Sequence, residues 1–149
     1  MKVKLFVLLA TIVAVAVPAV ARQEKDDAGA KVQASLQGSW NIVTMNGQNV
    51  ADMNTTMTMT FTGNKYQQFI NGRSAEQGTL KIDGSKKPMT ITLDISEGSD
   101  AGKTQPGLLE LKDDTLTLHF SAPGETAPPA DFVAKDNTLL AFLKKVKTE

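Results

Sequence analysis

The sequence predicts an all-β protein, a single up-and-down antiparallel barrel of about eight strands. Apolar and polar residues alternate over many short segments, turn signals separate these segments about every 8–12 residues, and no segment has a convincing helical period. A β-sandwich would share these features. Because the links between the segments are mostly of hairpin length, the meander of a barrel is favoured.

The first 21 residues predict a secretory signal. Lys2 and Lys4 form a charged start, residues 5–17 an apolar run, and residues 19–21 a small-residue cleavage site. The apolar run is too short to cross a bilayer of about 30 Å as a helix, so no membrane span is predicted in the mature chain. We expect a secreted or periplasmic protein, and residues 1–21 take no part in the fold.

Residues 22–35 are charged or small and have no β period. They predict a flexible leader, with one helical turn next to Leu36 as the alternative. Residues 36–149 then form one barrel domain. The absence of cysteine excludes disulfides, thiolate metal sites and a cysteine nucleophile, so the core alone must stabilise the domain.

The charge of the chain argues against nucleic acid as a partner. Removal of Lys2 and Lys4 with the signal leaves 16 − 2 = 14 basic residues against 16 acidic ones, a formal charge of −2. The basic residues are scattered, apart from three lysines near the C-terminus. A nucleic-acid-binding surface requires a basic stripe or face, and none is predicted.

The first predicted strand, residues 36–45, opens the domain. Gly38 permits a tight backbone turn where a side chain would clash, and Trp40 is a large apolar side chain that we expect to close one end of the barrel. The strand is apolar on both faces, with Trp40 and Ile42 on one and Val43 and Met45 on the other. This pattern predicts cover on both sides of the strand.

Alternation is cleanest in residues 57–62, where Met57, Met59 and Phe61 face inward and three threonines outward. Met89, Ile91 and Phe120 are inward in later strands. The further strands are predicted at 66–70, 76–83, 89–95, 108–111, 115–120, 132–134 and 138–144. The longer loops are predicted at 48–56, 84–88, 96–104 and, with three prolines, 121–130.

Short stretches in a fixed order carry a family resemblance. They are LQGSW at 36–40, FTGNKY at 61–66, GTLKID at 78–83, SKKP at 85–88 with ITL at 91–93, EG at 97–98 with GKT at 102–104, and DTLTL at 114–118. Over residues 36–144 this pattern resembles a bacterial family of small secreted lipocalin-like domains without an assigned biochemical function. The resemblance implies a lipocalin-like barrel and a secreted location, and it brings no catalytic motif.

The sequence departs from the family pattern at two places. Lys112-Asp113-Asp114 occupies a turn in which such sequences usually have a glycine, and Leu109 lies where they tend to have an aromatic residue. The first departure leaves open which type of turn joins the predicted strands 108–111 and 115–120.

Candidate catalytic and metal-binding residues are few. His119 is the only histidine, and alternation places it on the outward face as a partly exposed strand residue. A nucleophile elbow, Gly-x-Ser-x-Gly, is absent. Asp94, Glu97 and Asp100 lack the dense alternating carboxylates of a calcium loop. We therefore predict a protein that is not an enzyme and has no catalytic residue, metal site or cofactor.

The predicted function is non-covalent binding of a small apolar or amphipathic ligand inside the barrel. The candidate lining residues are Met57, Met59, Phe61, Met89, Ile91 and Phe120. Methionine serves either as core filler or as adaptable lining of an apolar cavity, and an eight-stranded barrel is either filled or holds one small ligand. The alternative function is a filled barrel that acts through its surface, as an inhibitor or a protein-interaction module of the cell envelope. The sequence leaves both open, together with the oligomeric state.

Overall fold

The computed structural model describes residues 19–149. The predicted signal peptide, residues 1–21, lies outside this range except for its last three residues. The elements in chain order are helix α1 Ala19–Leu36, β1 Gly38–Met45, β2 Gln48–Asn49, a 3-10 helix Val50–Met53, β3 Met57–Thr62, β4 Lys65–Ile70, β5 Arg73–Asp83, β6 Met89–Glu97, β7 Thr104–Lys112, β8 Thr115–Ser121 and β9 Thr138–Lys145.

Eight of the nine strands form one closed barrel. From β3 to β9 each strand pairs with its sequence neighbours in antiparallel order, β1 pairs with β3 on one side, and β1 pairs with β9 on the other to close the sheet. The short β2 only extends the end of β1. Because the sheet is closed, no barrel strand has an unpaired edge whose backbone N–H and C=O groups could pair with another chain. The predicted fold class, an up-and-down antiparallel barrel, is confirmed.

Most of the barrel interior is apolar, as the alternation predicts. Its core includes Trp40, Phe61 and Ile91, each enclosed by side chains of other strands. The predicted faces of β1 need one correction. A β-bulge between Ile42 and Thr44 shifts the register of β1 against β9, and beyond this bulge Met45 packs against the same core as Trp40 and Ile42 instead of lying on the opposite face.

The two ends of the barrel differ. The end where β1 begins and β9 ends is covered by α1 and is called the closed end. The opposite end is called the open end; there the hairpins β4–β5 and β6–β7 turn, and the segment between β8 and β9 leaves the sheet.

The structure has a helix where the sequence predicts a flexible leader. Val32 and Leu36, on one face of α1, pack against the barrel core, and Leu36 is fully buried. Gly29 is also buried, against the backbone of Ile82 and Gly84 at the end of β5. The packing of this apolar face against the barrel stabilises α1, because an isolated helix is only marginally stable in water. The strand-type alternation used to predict the other elements gives no signal for this helix.

Two predicted segments have different structures. The predicted loop at 48–56 contains β2 and the 3-10 helix, whose Val50 is buried in the core. Asn49 caps this helix by accepting a hydrogen bond from Ala51 N at 3.0 Å. The predicted strand at 132–134 is wrong, because pairing of β1 with β9 already closes the sheet and leaves no edge for it.

In the turn that lacks the family glycine, Asp113 adopts a positive φ of 50°. Aspartate tolerates this left-handed conformation better than most residues.

Among residues 19–149, no helix is both long enough and apolar enough to cross a membrane.

Candidate functional site

The structure distributes the six predicted lining residues over the whole barrel. Met59, Phe61, Ile91 and Phe120 are only 5, 2, 0 and 4 % exposed. Met57 begins β3 at the open end, whereas Met89 begins β6 at the closed end, and both are partly buried against the core. The six residues are therefore not gathered in one pocket, and their role as ligand contacts stays a prediction.

The interior next to the closed end is packed. Trp40, Ile91 and Leu143 have no exposed surface, so no water-sized space adjoins them. An eight-stranded barrel is narrow enough for side chains to fill it. The space around these three side chains therefore holds no ligand.

A cavity of about 320 Å³ lies at the open end and is called the mouth cavity. Its lining is mostly polar, with two carboxylates and several amide and hydroxyl groups beside a few apolar side chains. The lining residues are Gln68, Glu76, Asp100, Gln105, Ser121, Ala122, Pro123, Asn137, Thr138 and Leu139. They come from β4, β5, β7, β8 and β9 and from two of the connecting segments.

Glu76 is the half-buried carboxylate of the mouth cavity. It lies on β5 opposite Gln68 of β4, and the buried Tyr66 donates a hydrogen bond from its hydroxyl to Glu76 Oε1 at 2.9 Å. Tyr66 faces Gly78 across the same two strands. The pairing of β4 with β5 thus aligns the phenol and the carboxylate.

Gly98 brings the second carboxylate to the cavity. It has a φ of 117°, and a Cβ atom there would lie 2.8 Å from Ala75 O and 3.3 Å from the Cα of Glu76. Only glycine fits this approach without strain. The loop between β6 and β7 therefore lies against β5, and its Asp100 reaches the cavity that Glu76 lines.

The electrostatics of the two carboxylates differ. Burial raises the pKa of Glu76, the negative charge of Asp100 raises it further, and the hydrogen bond from Tyr66 opposes both effects. The pKa of Asp100 is lowered, chiefly by its hydrogen bond with Lys103, whose Nζ lies 2.8 Å from Asp100 Oδ1. Burial, followed by the hydrogen bond to Glu76, raises the pKa of Tyr66, so its phenol stays protonated.

Gln105 contributes a buried amide to the mouth cavity. It is 8 % exposed and donates from Nε2 to Ser121 O at 2.9 Å. Its Oε1 accepts no hydrogen bond from the part of the chain that the structure describes. An acceptor in such a position is available to a ligand or to water.

His119 lies on the outward face, as predicted, but the prediction of partial exposure is wrong. The side chain is 0 % exposed because the segment between β8 and β9 folds over the outer wall of the barrel. Its Nδ1 lies 2.6 Å from Asp131 O and its Nε2 2.9 Å from Thr138 Oγ1. A carbonyl can only accept, so Nδ1 carries a proton and donates to Asp131. Both ring nitrogens thus serve to hold this segment.

Two of the acidic side chains in the β6–β7 region, those of Asp94 and Asp100, have partners within the chain. Asp94 accepts a hydrogen bond from Thr104 Oγ1 at 3.0 Å, and Asp100 is paired with Lys103. Across residues 27–149, whose side chains the structure describes, no three His, Cys, Asp or Glu side chains are grouped so that they could hold a metal ion.

A second, more apolar cavity lies at the rim of the closed end. It has a volume of about 460 Å³ and lies between α1, the entrance of β6 and the β8–β9 segment. Its lining consists of Val32, Pro88, Met89, Leu109, Glu110, Leu111 and Phe132. Met57 lines another cavity, of about 290 Å³, beside the 3-10 helix.

Sequence reasoning missed the mouth cavity because it searched for apolar lining. The signal that could have found it is a set of polar residues at inward positions near one end of neighbouring strands. Gln68, Glu76 and Gln105 form this set. A polar residue at an inward strand position breaks the rule of apolar filling, and such breaks are expected at functional sites.

A closed eight-stranded antiparallel meander with one covered end and one open, polar-lined end is the architecture of small up-and-down β-barrels, a class that includes ligand-binding proteins. The family model described as "Lipocalin-like domain" matches residues 36–118, more than half of the chain. The chain therefore belongs to the lipocalin-like domain family, and the predicted family resemblance is confirmed. No curated protein and no solved structure matches the chain.

Proposed function

We propose that this lipocalin-like protein binds a small amphipathic molecule non-covalently in the mouth cavity. The observation that carries the proposal is the position of this cavity at the open end of a barrel whose interior is packed around Trp40, Ile91 and Leu143. Its volume of about 320 Å³ is near the lower limit of ligand pockets, roughly 300–1,000 Å³. The expected ligand is therefore small.

The lining supports an amphipathic ligand over a purely apolar one. Leu139, Ala122 and Pro123 offer apolar surface, whereas Glu76 and Gln105 offer hydrogen-bond acceptors. A few polar groups among apolar contacts are typical of sites that orient a ligand. Of the predicted lining residues, Phe120 lies directly opposite Leu139 in the sheet and Met59 directly opposite Gln68.

A thermal unfolding screen with short-chain alcohols, amines and carboxylates tests the proposal. A ligand present at 100 times its Kd should stabilise the protein by about 2.7 kcal/mol. The Ala122→Trp variant should reduce the affinity at least tenfold by filling the cavity. Ala134→Trp is the matched control, since Ala134 is exposed and does not line the mouth cavity. Equal affinity of the two variants, or no stabilisation by any compound, would contradict the proposal.

We also propose a non-catalytic role and export of the protein. Burial of His119 and the two hydrogen bonds of its ring support the first point, because a general base must reach the substrate. The charged start, apolar run and cleavage site of residues 1–21 support the second. N-terminal sequencing of the exported protein should begin at Arg22; an intact Met1 would contradict cleavage.

The alternative function is a protein-interaction or inhibitor module of the cell envelope. The packed interior beside Trp40 and Ile91 favours it, because a filled barrel has to act through its surface. The same screen separates the two proposals. If no compound stabilises the protein and Ala122→Trp changes nothing, the surface module becomes the better supported function.

A further inference from the structure

We propose that the mouth cavity selects amphipathic molecules whose polar end is a protonated amine, bound by the carboxylate of Glu76 and by Gln105 Oε1. This inference rests on the proposed binding function and adds the chemical class of the ligand. It follows from the charge of the lining, from an acceptor that bonds to nothing in the described chain, and from the arrangement of apolar surface.

The charge of the lining favours a cation. Glu76 and Asp100 are its two ionisable residues, and no lysine or arginine is among the lining residues. The nearest positive charge to Asp100 is Lys103, which is already paired with it at 2.8 Å. A bound ammonium would reduce the repulsion between the two carboxylates, whereas an anionic ligand would add to it.

The hydrogen-bonding groups favour a donor. An ammonium group has three N–H donors and no acceptor. Glu76 keeps one oxygen that does not bond to Tyr66, and Gln105 keeps an Oε1 that accepts nothing from the described residues. None of the buried side-chain polar atoms of the described residues lacks a partner, so Gln105 Oε1 is open to solvent in the cavity, and a donor of the ligand takes the place of water there.

The remaining lining fixes the shape of the ligand. Leu139, Ala122 and Pro123 supply apolar contact beside the polar groups. A short aliphatic or aromatic body can lie on them while the amine faces Glu76. The volume of about 320 Å³ limits this body to a small one.

Calorimetric titration of the mature protein with hexylamine, 1-hexanol and hexanoate tests the inference. The three molecules share one apolar body and differ in their polar end. We expect hexylamine to bind at least ten times more tightly than 1-hexanol and hexanoate to bind most weakly. Equal affinities for the amine and the alcohol would overturn the amine inference and leave the proposed binding function standing. Absence of binding by all three would count against both.

The Glu76→Gln variant locates the selectivity. Its amide oxygen can still accept the Tyr66 hydrogen bond, but the negative charge is removed. We expect the affinity for hexylamine to fall to that for 1-hexanol, with the alcohol unchanged. Glu97→Gln is the control, because it removes the same charge from an exposed residue outside the lining. An equal loss in both variants would overturn the assignment to Glu76, and so would retention of tight amine binding by Glu76→Gln. Should Glu76→Gln fail to fold, the comparison of the three compounds on the unaltered protein still decides the inference.

Discussion

The closed end and the open end of this barrel are built on opposite principles. At the closed end the last carbonyls of α1 are bonded within the chain. Leu36 O accepts from Trp40 Nε1 at 2.7 Å, and Ser35 O accepts from Lys145 Nζ at 3.0 Å. The same lysine Nζ lies 5.3 Å from the centre of the Trp40 ring. These contacts bind the helix to the first and last strands of the barrel.

A glutamine completes the closed end. The side chain of Gln37 accepts a hydrogen bond from Gly63 N at 2.6 Å and donates one to Gly63 O at 3.1 Å. One side chain thus bonds both the N–H and the carbonyl of Gly63 in the β3–β4 turn. At the open end, by contrast, Glu76 and Asp100 repel each other and Gln105 keeps an unused acceptor. Polar networks stabilise a fold when all their members are paired, and the unpaired groups of the open end are those available to a ligand. The difference separates an end that stabilises the barrel from an end where we propose that the ligand binds.

Trp40→Ala should have the largest effect and should break the closed end. Removal of a large, fully buried side chain leaves a cavity and typically costs about 3–5 kcal/mol. It also removes the donor to Leu36 O and the ring beside Lys145. The free energy of unfolding from urea titration measures the loss. A loss below about 1 kcal/mol would show that α1 and Trp40 do not stabilise the barrel together.

Gly98→Ala should have a smaller effect and acts at the open end. A methyl group there would meet Ala75 O and strain a backbone with φ 117°, so we expect a loss of about 1–3 kcal/mol and weaker ligand binding. Gly102→Ala is a matched control, since its φ of 88° is also positive but no atom lies within 4 Å of the added carbon. Urea titration of both variants isolates the cost of the contact. Equal losses would mean that close packing at Gly98 is unimportant.

Glu76→Gln should have the smallest effect on stability, with the opposite sign. Folding raises the pKa of Glu76 above its ordinary value of 4.5, so the folded protein binds the proton more tightly than the unfolded chain. The stability contributed by Glu76 is therefore complete below that value and is lost as the pH rises through the raised pKa. Asp100, which is paired with Lys103, is the acid that adds to this shift, and Tyr66 opposes it through its hydrogen bond.

Since glutamine does not titrate, Glu76→Gln should be more stable than the unaltered protein at pH 7 and similar to it at pH 4. Thermal unfolding at the two pH values measures the difference. A variant that is less stable at pH 7 would show that the carboxylate charge at the open end favours folding.

Several elements could be predicted because their signals are local. Residues 57–62 alternate without interruption, and β3 has these bounds in the structure. The first half of β7 was missed for a physical reason. Its inward positions carry Gln105 and Gly107, and the ring of Phe120 occupies the space where a side chain at Gly107 would lie. A strand that places a polar residue and a glycine inward has no apolar alternation to detect.

The candidate site was less predictable than the fold. The partners of Glu76 are Tyr66, ten residues earlier, and Asp100, which reaches the cavity only because Gly98 permits a close approach to β5. The burial of His119 depends in the same way on Asp131 and Thr138, both beyond the end of its strand. Neither arrangement leaves a local period in the sequence.

The sequence by itself determined most of the barrel strands, their order and the apolar core, because side-chain alternation and turn residues act over a few neighbouring positions. Only the tertiary structure decided which end of the barrel is closed, that the leader forms the helix covering it, and that the open end carries acidic and amide groups. These features arise from contacts between distant segments, such as Lys145 with Ser35 or Gly98 with Ala75, whose stabilising effect exists only once the barrel has closed.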